Sequence, residues 1–573
     1  MPEERGAGQA SSPWWQNKIA YQIYPKSFLD SNGDGIGDLP GILSKLDYLK
    51  DLGVDILWLS PVYPSPMVDQ GYDISDYYGV DPCFGSMEDM DALIRELKRR
   101  GMRLVMDLVV SHCSDQHPWF QEAIRGPAGK YGQYFYLKPG RNGGPPNNWR
   151  AEFGGSCWDR LPGSDLYYFH TFAKEQPDLN WENPEIRRNI CGMVNWWLDK
   201  GVSGFRLDAI INLKKDLTFR DGPADSPDGT CAVAKMLPQT PEIGAFLNQL
   251  KRECFLPHDA FTVGEVFSIA PGRMTEFGGP EGYFSTLFDF GHCVADRSGA
   301  YWYQYKPFDF QTWRDAIFQS QENAGNFVFL SNILENHDQP RSPSFFLPEG
   351  DDSYEGITAL AALSVLLRGI PFLYQGQEIG MRNGSFRTAE DFEDLSTRDQ
   401  YRAALSAGRT EAEAMAVCRR RSRDNARTPM QWTGGKHAGF TSGTPWFPVN
   451  PNYRKLNVEA DAVSKRSVRG WYKRLLALRK DPKWEDVLVR GGFRPAFREE
   501  PEIFAYWRTG ESSGRRVLVL CHYGRGTASV PFAEPFRVLL NNCDHLECRE
   551  GCLRLRTYQI VVLACGAGEE EAL

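Results

Sequence analysis

The 573-residue chain contains no apolar run long enough to cross a membrane, so no membrane partner is expected. Its opening stretch, MPEERGAGQASSPWWQNK, lacks the apolar centre of a signal peptide. No long basic run occurs and the net charge is −9, which argues against a nucleic-acid partner. The 13 cysteines form no pairs at zinc spacing, and the odd count argues against a disulfide framework. Cys543, Cys548 and Cys552 cluster late in the chain, but their gaps of four and three residues match no zinc pattern. Reduced thiols in a cytoplasm are the expectation. Internal repeats and low-complexity linkers are also missing.

What is present is a large globular chain. Its length exceeds one compact core and implies two or three domains, and 42% hydrophobic residues exclude a disordered protein. Aromatics reach 13%, with 16 tryptophans. Large cores account for many aromatics; sugar rings stacking on flat side chains are the alternative.

Short apolar segments end in polar or charged residues at 19–24, 56–60, 104–110, 204–208, 261–265, 327–332 and 370–375. Helical patterns lie between some of them, as at 87–100 and 184–200. In the latter Ile186, Ile190, Met193, Val194, Trp197 and Leu198 recur at helical spacing. Strands alternating with helices imply a parallel sheet, and about eight such units fit a (β/α)8 TIM barrel better than a doubly wound sheet. From Cys113 to about Leu179 the rhythm breaks into Gly-, Pro-, Tyr- and Trp-rich sequence, and a long excursion after a barrel strand is usually functional. After about Lys480 short strand-like runs separated by turns predict a closing all-β domain, an antiparallel sandwich. The expected α/β organisation is a barrel in two parts, 1–112 and 181–485, an inserted loop-rich domain at 113–180, and the sandwich at 486–573.

In a barrel the chemistry sits where strands end at the C-terminal face. The 104–110 segment runs into His112. GFRLD ends at Asp208, with Arg206 two residues earlier on the same side. FTVGE ends at Glu265, and another segment ends at His337–Asp338. Acetal hydrolysis needs such a set: one carboxylate attacks the anomeric carbon and another protonates the leaving oxygen. An arginine beside the nucleophile keeps it ionised. Each residue alone reads equally well as a helix cap, a surface charge or a satisfied polar group; their convergence on one mouth carries the functional reading.

The motifs AYQIYPKSF, DSNGDGIGDLPGI, GYDISDYYGVDP, MDLVVSH, QPDLNWENP, GFRLDAI, VGEVF, ENHDQPR, LYQGQEIGM, RDNARTPMQW and VNPNY run in order from about Trp14 to Tyr453. On these the chain resembles the α-amylase superfamily, glycoside hydrolase family 13, and within it the oligo-1,6-glucosidase and α-glucosidase group. The resemblance implies an exo-acting, retaining α-glucosidase of short oligosaccharides, a monomer or weak homo-oligomer. It assigns Asp208 as nucleophile, Glu265 as acid/base and Asp338 as the third carboxylate, which grips sugar hydroxyls. Arg206, His112 and His337 would contact the cleaved glucose, and Tyr72 would lie under it. Asp69 and Arg427 would close the pocket at the sugar's far end; a loop-holding salt bridge is the plainer reading of that pair.

The loop Asp30-Ser-Asn32-Gly-Asp34-Gly-Ile36-Gly-Asp38 places oxygens at alternate positions, which suits calcium. By resemblance Asp30, Asn32, Asp34, Asp38 and the Ile36 carbonyl would hold calcium or magnesium as a structural ion. A metal-free turn is the alternative, since the twelfth position is Gly41 and not the glutamate of an EF-hand. In this group the residue after the nucleophile tracks linkage, and Ala209 favours α-1,4 or mixed cleavage, whereas QPDLNW is shared with α-1,6 enzymes. The stretch His-Cys-Val-Ala-Asp at 292–296 lacks the arginines of sucrose isomerases, which disfavours isomerisation. Trehalose-6-phosphate hydrolysis, sucrose cleavage and a non-catalytic scaffold of the same fold are the other readings. The scaffold is opposed by the three retained carboxylates.

Overall fold

A computed structural model describes residues 12–237, 242–267, 270–288, 290–294, 296 and 298–566. Eight strands close a barrel: β1 (Ala20–Ile23), β2 (Ile56–Leu59), β3 (Arg103–Leu108), β4 (Gly204–Leu207), β5 (Phe261–Gly264), β6 (Thr286–Phe288), β7 (Leu330–Asn332) and β8 (Ile370–Tyr374). Each pairs in parallel with its neighbours in chain order, and β1 closes on β8. β6 is the strand the apolar segments above do not include. At three residues, Thr-Leu-Phe, it is too short to show a period.

Alternation along the strands builds two cores. Ala20, Ile56, Trp58, Val105, Phe261, Val263, Phe288, Ile370 and Phe372 share the barrel interior. Their neighbours Tyr21, Leu57, Leu104, Met106 and Phe205 join the larger core beneath the helices. Because side chains repeat every second residue, the interior row continues upward from Ala20 to Gln22, from Val105 to Asp107, from Gly204 to Arg206 and from Val263 to Glu265. The row therefore turns from apolar to polar at the strands' C-terminal ends, and this change of character positions the site.

The outer helices form where the sequence gives them a cap and an apolar stripe. Helix Met87–Arg99 starts at Ser86, whose hydroxyl accepts from the Asp89 N–H while the Asp89 carboxylate takes the Ser86 N–H. Helix Pro184–Lys200 has Asn183 as cap and proline at its first position. It ends at Gly201 with φ 115°, a left-handed conformation that favours glycine.

Within the excursion after β3, strands Leu137–Pro139, Trp158–Arg160 and Leu166–Phe169 make an antiparallel sheet. Trp149–Arg150 pairs instead with Cys231–Ala232, a segment that follows β4. The excursion thus recruits chain from beyond its own sequence bounds. At the other end, a five-stranded and a three-stranded antiparallel sheet share one core that includes Leu518, Leu520, Leu563, Val530, Leu553 and Leu555, giving a sandwich. No helix among the described residues is long and apolar enough to cross a membrane, and no disulfide joins the cysteines.

Candidate active site

Asp208 and Glu265 extend their strands by one step each. The Asp208 N–H donates to the Leu108 carbonyl at 3.1 Å, and the Glu265 N–H donates to the Leu207 carbonyl at 3.0 Å. Between them stands Arg206, wholly buried. Its Nη1 lies 2.5 Å from Asp208 Oδ1 and 2.7 Å from Asp107 Oδ1, and its Nη2 lies 2.5 Å from Glu265 Oε1. One guanidinium therefore spans three carboxylates in a site shielded from water, where such charges act strongly.

Burial pushes the pKa of Glu265 up to about 8; Arg206 pulls it back and the charge of Asp208 adds to the rise. A carboxyl so raised is protonated at neutral pH and able to donate. Burial also raises Asp107, to about 6, against the pull of Arg206. Asp107 accepts from the Tyr72 hydroxyl at 3.0 Å and the Trp58 indole at 3.1 Å, both on Oδ2. The Tyr72 hydroxyl also sits 2.6 Å from His337 Nε2, and Gln22 Nε2 donates to His337 Nδ1 at 2.7 Å. That amide donor places the imidazole proton on Nε2. Burial lowers the His337 pKa to about 3, so the ring is neutral and oriented. The Tyr72 and His337 rings are parallel within 3°, 5.2 Å apart.

Asp338 is the most open of the carboxylates, 30% exposed at its side chain. It takes Arg427 Nη2 at 3.0 Å and Arg423 Nη1 at 3.3 Å, and lies 3.2 Å from His337 Nε2. Burial would raise its pKa, but His337 and the arginines Arg423, Arg427 and Arg206 outweigh it and hold it well below the usual carboxylate range. With His337 neutral, the arginines supply the charge at neutral pH. The turn bearing these residues is fixed beneath by the buried pair Glu335–Arg341 at 3.1 Å, and Arg341 also donates to the Gln375 carbonyl at 2.6 Å.

The far-end closure differs from the expected Asp69–Arg427 pair. Asp69 Oδ1 pairs with Arg423 Nη2 at 3.1 Å, while Arg427 serves Asp338. Arg423 and Arg427 lie one helical turn apart, flanking and ending the helix Asp424–Arg427, so both reach the same mouth. Asp394, fully buried, holds Arg423 in place at 2.7 Å. Gln176 Nε2 reaches Asp69 Oδ2 at 3.3 Å, and His112 Nε2 donates to the Tyr72 carbonyl at 3.0 Å. The buried pair Lys215–Asp178 at 2.6 Å ties the inserted domain to the loop after Asp208. Ala209 itself adopts φ 41°, ψ 40° and donates its N–H to Glu265 Oε2 at 2.9 Å.

Sequence reasoning omits Asp107, Arg423, Gln176 and Phe267. An acid two residues after Val105, inside an apolar strand, signals Asp107. Arg423 opens a motif already quoted, and Gln176 opens another. Phe267, two residues past Glu265 and 40% exposed, stacks on Phe290 at 4.9 Å, a contact between the segments that follow the neighbouring strands β5 and β6. At 292–296, Ala295 lies outside the described residues; Asp296 is paired with Arg421, so an arginine reaches this stretch through space.

The nominated ion loop closes on itself. Asp30 Oδ1 accepts the N–H groups of Asn32 and Gly33 at 2.9 and 2.7 Å, and its Oδ2 accepts that of Gly35 at 2.8 Å and the Thr441 hydroxyl. Asp38 caps the helix Leu39–Ser44 through Gly41 at 2.6 Å. Asn32 Oδ1 and Asp34 Oδ1 each accept one N–H, from Asp34 and Ile36. The side chains of Asp30, Asn32, Asp34 and Asp38 and the Ile36 carbonyl all supply hard oxygen donors, and each of the four side chains also accepts hydrogen bonds from neighbouring groups of the loop or its following helix. No group of three acidic, histidine or cysteine side chains suited to a metal occurs among the described residues.

The model of the alpha amylase catalytic domain matches residues 22–491, which include every residue of this site. The chain belongs to the alpha-amylase family. It is 41% identical to an oligo-1,6-glucosidase of Parageobacillus thermoglucosidasius, covering 90% of this chain and 91% of that one. It is 38% identical to a trehalose-6-phosphate hydrolase of Bacillus subtilis, covering 96% and 98%. The solved isomaltulose synthase of Klebsiella sp. LX3 superposes with a TM-score of 0.91 at 35% identity, over 97% of this chain and all of that one. The chain is accordingly a glycoside hydrolase by family, with the barrel, insertion and C-terminal sheets that its sequence predicts.

Proposed function

We propose that the protein is an exo-acting, retaining α-glucosidase that releases terminal non-reducing glucose from short α-1,4- and α-1,6-linked oligosaccharides. The observation that carries this is the Arg206 bridge: one guanidinium serves both Asp208 and Glu265, and Glu265 is held protonated. A shared guanidinium suits the separation of about 5–5.5 Å that double displacement needs. Asp208 attacks the anomeric carbon while Glu265 gives its proton to the leaving oxygen. A water then attacks the glucosyl-enzyme with Glu265 acting as base. Asp338 and His337 grip hydroxyls of the bound glucose, with Tyr72 stacked alongside. The Asp69–Arg423–Asp338 chain of ion pairs blocks passage of a longer glucan, which supports exo cleavage.

Both linkages are included because Ala209 favours α-1,4 and the oligo-1,6-glucosidase relatives favour α-1,6. Cysteines without disulfides support a reducing compartment such as the cytoplasm. A calcium or magnesium ion on Asp30, Asn32, Asp34, Asp38 and the Ile36 carbonyl is part of the proposal as a structural element only. Assay of glucose release from maltose, isomaltose, panose, sucrose and trehalose-6-phosphate tests the reading. Turnover of trehalose-6-phosphate alone would replace it with the trehalose-6-phosphate hydrolase one, and no turnover of any would overturn it.

A further inference from the structure

Outside the catalytic pocket, a cleft of about 880 Å³ opens between residues 153–175 of the inserted domain and the helix Leu395–Ser406. Its volume lies within the range of small-ligand sites, about 300–1,000 Å³. Beside the buried Trp158, three more open aromatic side chains line it: Phe153, Phe172 and Tyr401. All three are half-buried, leaving ring surface to the cleft, and no described residue hydrogen-bonds the Tyr401 hydroxyl.

The charged lining is balanced. Asp159, Glu175 and Glu390 face Lys174, Arg398 and Arg402. Such a surface offers hydroxyl groups many donors and acceptors but gives an anion no net attraction. Aromatic planes for the C–H faces of sugar rings, with mixed hydrogen-bonding groups around them, are the chemistry of a neutral polyhydroxyl ligand.

The cleft's walls are also the back of the catalytic pocket. Phe172 sets its ring against His112 at 5.2 Å and against Phe153 at 5.6 Å. Phe153 carries the Arg423 guanidinium at 4.9 Å. The opposite wall begins at Asp394, the cap of its helix and the residue that holds Arg423. A ligand in the cleft would thus touch groups in direct contact with His112 and Arg423.

We propose that this cleft is a second carbohydrate site that takes a short uncharged α-glucooligosaccharide. The proposal rests on the glucosidase reading for the identity of the sugar. The test is titration calorimetry of maltotriose into the full-length Asp208→Asn protein, which keeps both sites without turnover. Two classes of site per chain are expected. Tyr401→Ala added to that protein should weaken one class about tenfold or more, as truncation of a buried aromatic anchor does. The other class should stay within about twofold, as for independent sites. Arg402→Ala, on an exposed position, should weaken the same class and stands in if Tyr401→Ala fails to fold. A single class of site, or two classes that neither variant changes, overturns the proposal. Glucose release by the unaltered enzyme separates the two ideas: turnover with one binding class sinks only the second site, whereas two classes without turnover sink only the glucosidase reading.

Discussion

The backbone N–H of Ala209 donates to Glu265 Oε2 at 2.9 Å. The residue after Asp208 thereby orients Glu265, and the left-handed turn that aims this N–H belongs to the geometry of the proposed active site. With Oε2 occupied and Oε1 against Arg206, the acid is fixed; its raised pKa comes chiefly from burial.

That pKa predicts the alkaline limb of activity. Glu265 is raised above the ordinary value of 4.5 to about 8, so its proton is present below that pH and lost as pH rises through it. kcat/KM should fall on the alkaline side with an apparent pKa near 8. The same sign holds for stability: the folded state binds a proton that the unfolded chain has released above about pH 4.5, so this group's contribution declines from there through pH 8. A flat kcat/KM profile between pH 6 and 9 would reject the assignment. In Glu265→Gln the limb should vanish along with most of the turnover.

Asp208→Asn should fold normally and lose several powers of ten in turnover, as for members of a catalytic unit. Early product from the unaltered enzyme should be α-glucose by proton NMR. Early β-glucose would mean a single inversion and a different use of the two carboxylates.

Arg423→Ala should cost more than any single pocket contact. It strips a partner from Asp69, Asp338 and the fully buried Asp394. Leaving a buried charge uncompensated costs about 3–5 kcal/mol, so the melting temperature should fall together with kcat/KM. Arg423→Lys keeps charge without the planar fork and should recover stability more than activity. Unchanged kcat/KM in Arg423→Ala would show that the far end is closed by Arg427, as the sequence pattern suggests.

These cases show where sequence reading succeeds. Strands with alternating or uniformly apolar runs, such as those carrying Arg206 and Val263, are legible because burial imposes a period. Asp208 and Glu265 are legible because each follows such a run directly, whereas Asp338 stands six residues past β7, in the turn beyond it. β6 is not, because three residues carry no period. The Asp69–Arg423 pairing is not legible either. Two arginines one turn apart are equivalent in sequence, and only Asp394, a helix cap packed behind one of them, decides which reaches Asp69. The Phe267–Phe290 stack joins the ends of separate strands, so no local spacing announces it.

The ion loop gives a prediction with a clear sign. If calcium or magnesium binds through Asp30, Asn32, Asp34, Asp38 and the Ile36 carbonyl, it favours the folded state, and chelation should lower the melting temperature while leaving the rate at moderate temperature nearly intact. The self-closed hydrogen bonds of Asp30 and Asp38 should keep the loop folded without the ion. An unchanged melting temperature, with no ion found by elemental analysis, would leave only the turn.

Linkage choice is the sharpest test of the Ala209 turn. At φ 41° a side chain is strained and a β-branched one more so, by roughly 1–2 kcal/mol for the left-handed region. Ala209→Val therefore changes two things: it adds bulk beside the scissile oxygen and strains the N–H that orients Glu265. Bulk should crowd a closely held α-1,4-linked sugar more than an α-1,6-linked one, whose extra bond sets it farther away. A methylene in a pocket is worth about 1–3 kcal/mol of discrimination, so the maltose to isomaltose ratio of kcat/KM should fall roughly tenfold or more. Strain would instead depress both substrates alike. Ala209→Gly separates the effects, because it relieves strain and removes bulk together. It should raise or preserve the maltose rate and leave the ratio the same or higher. If Ala209→Val lowers both substrates equally and Ala209→Gly raises both equally, residue 209 governs the acid's orientation alone, and linkage is chosen farther out, where Phe267 and Phe290 stack beside Glu265.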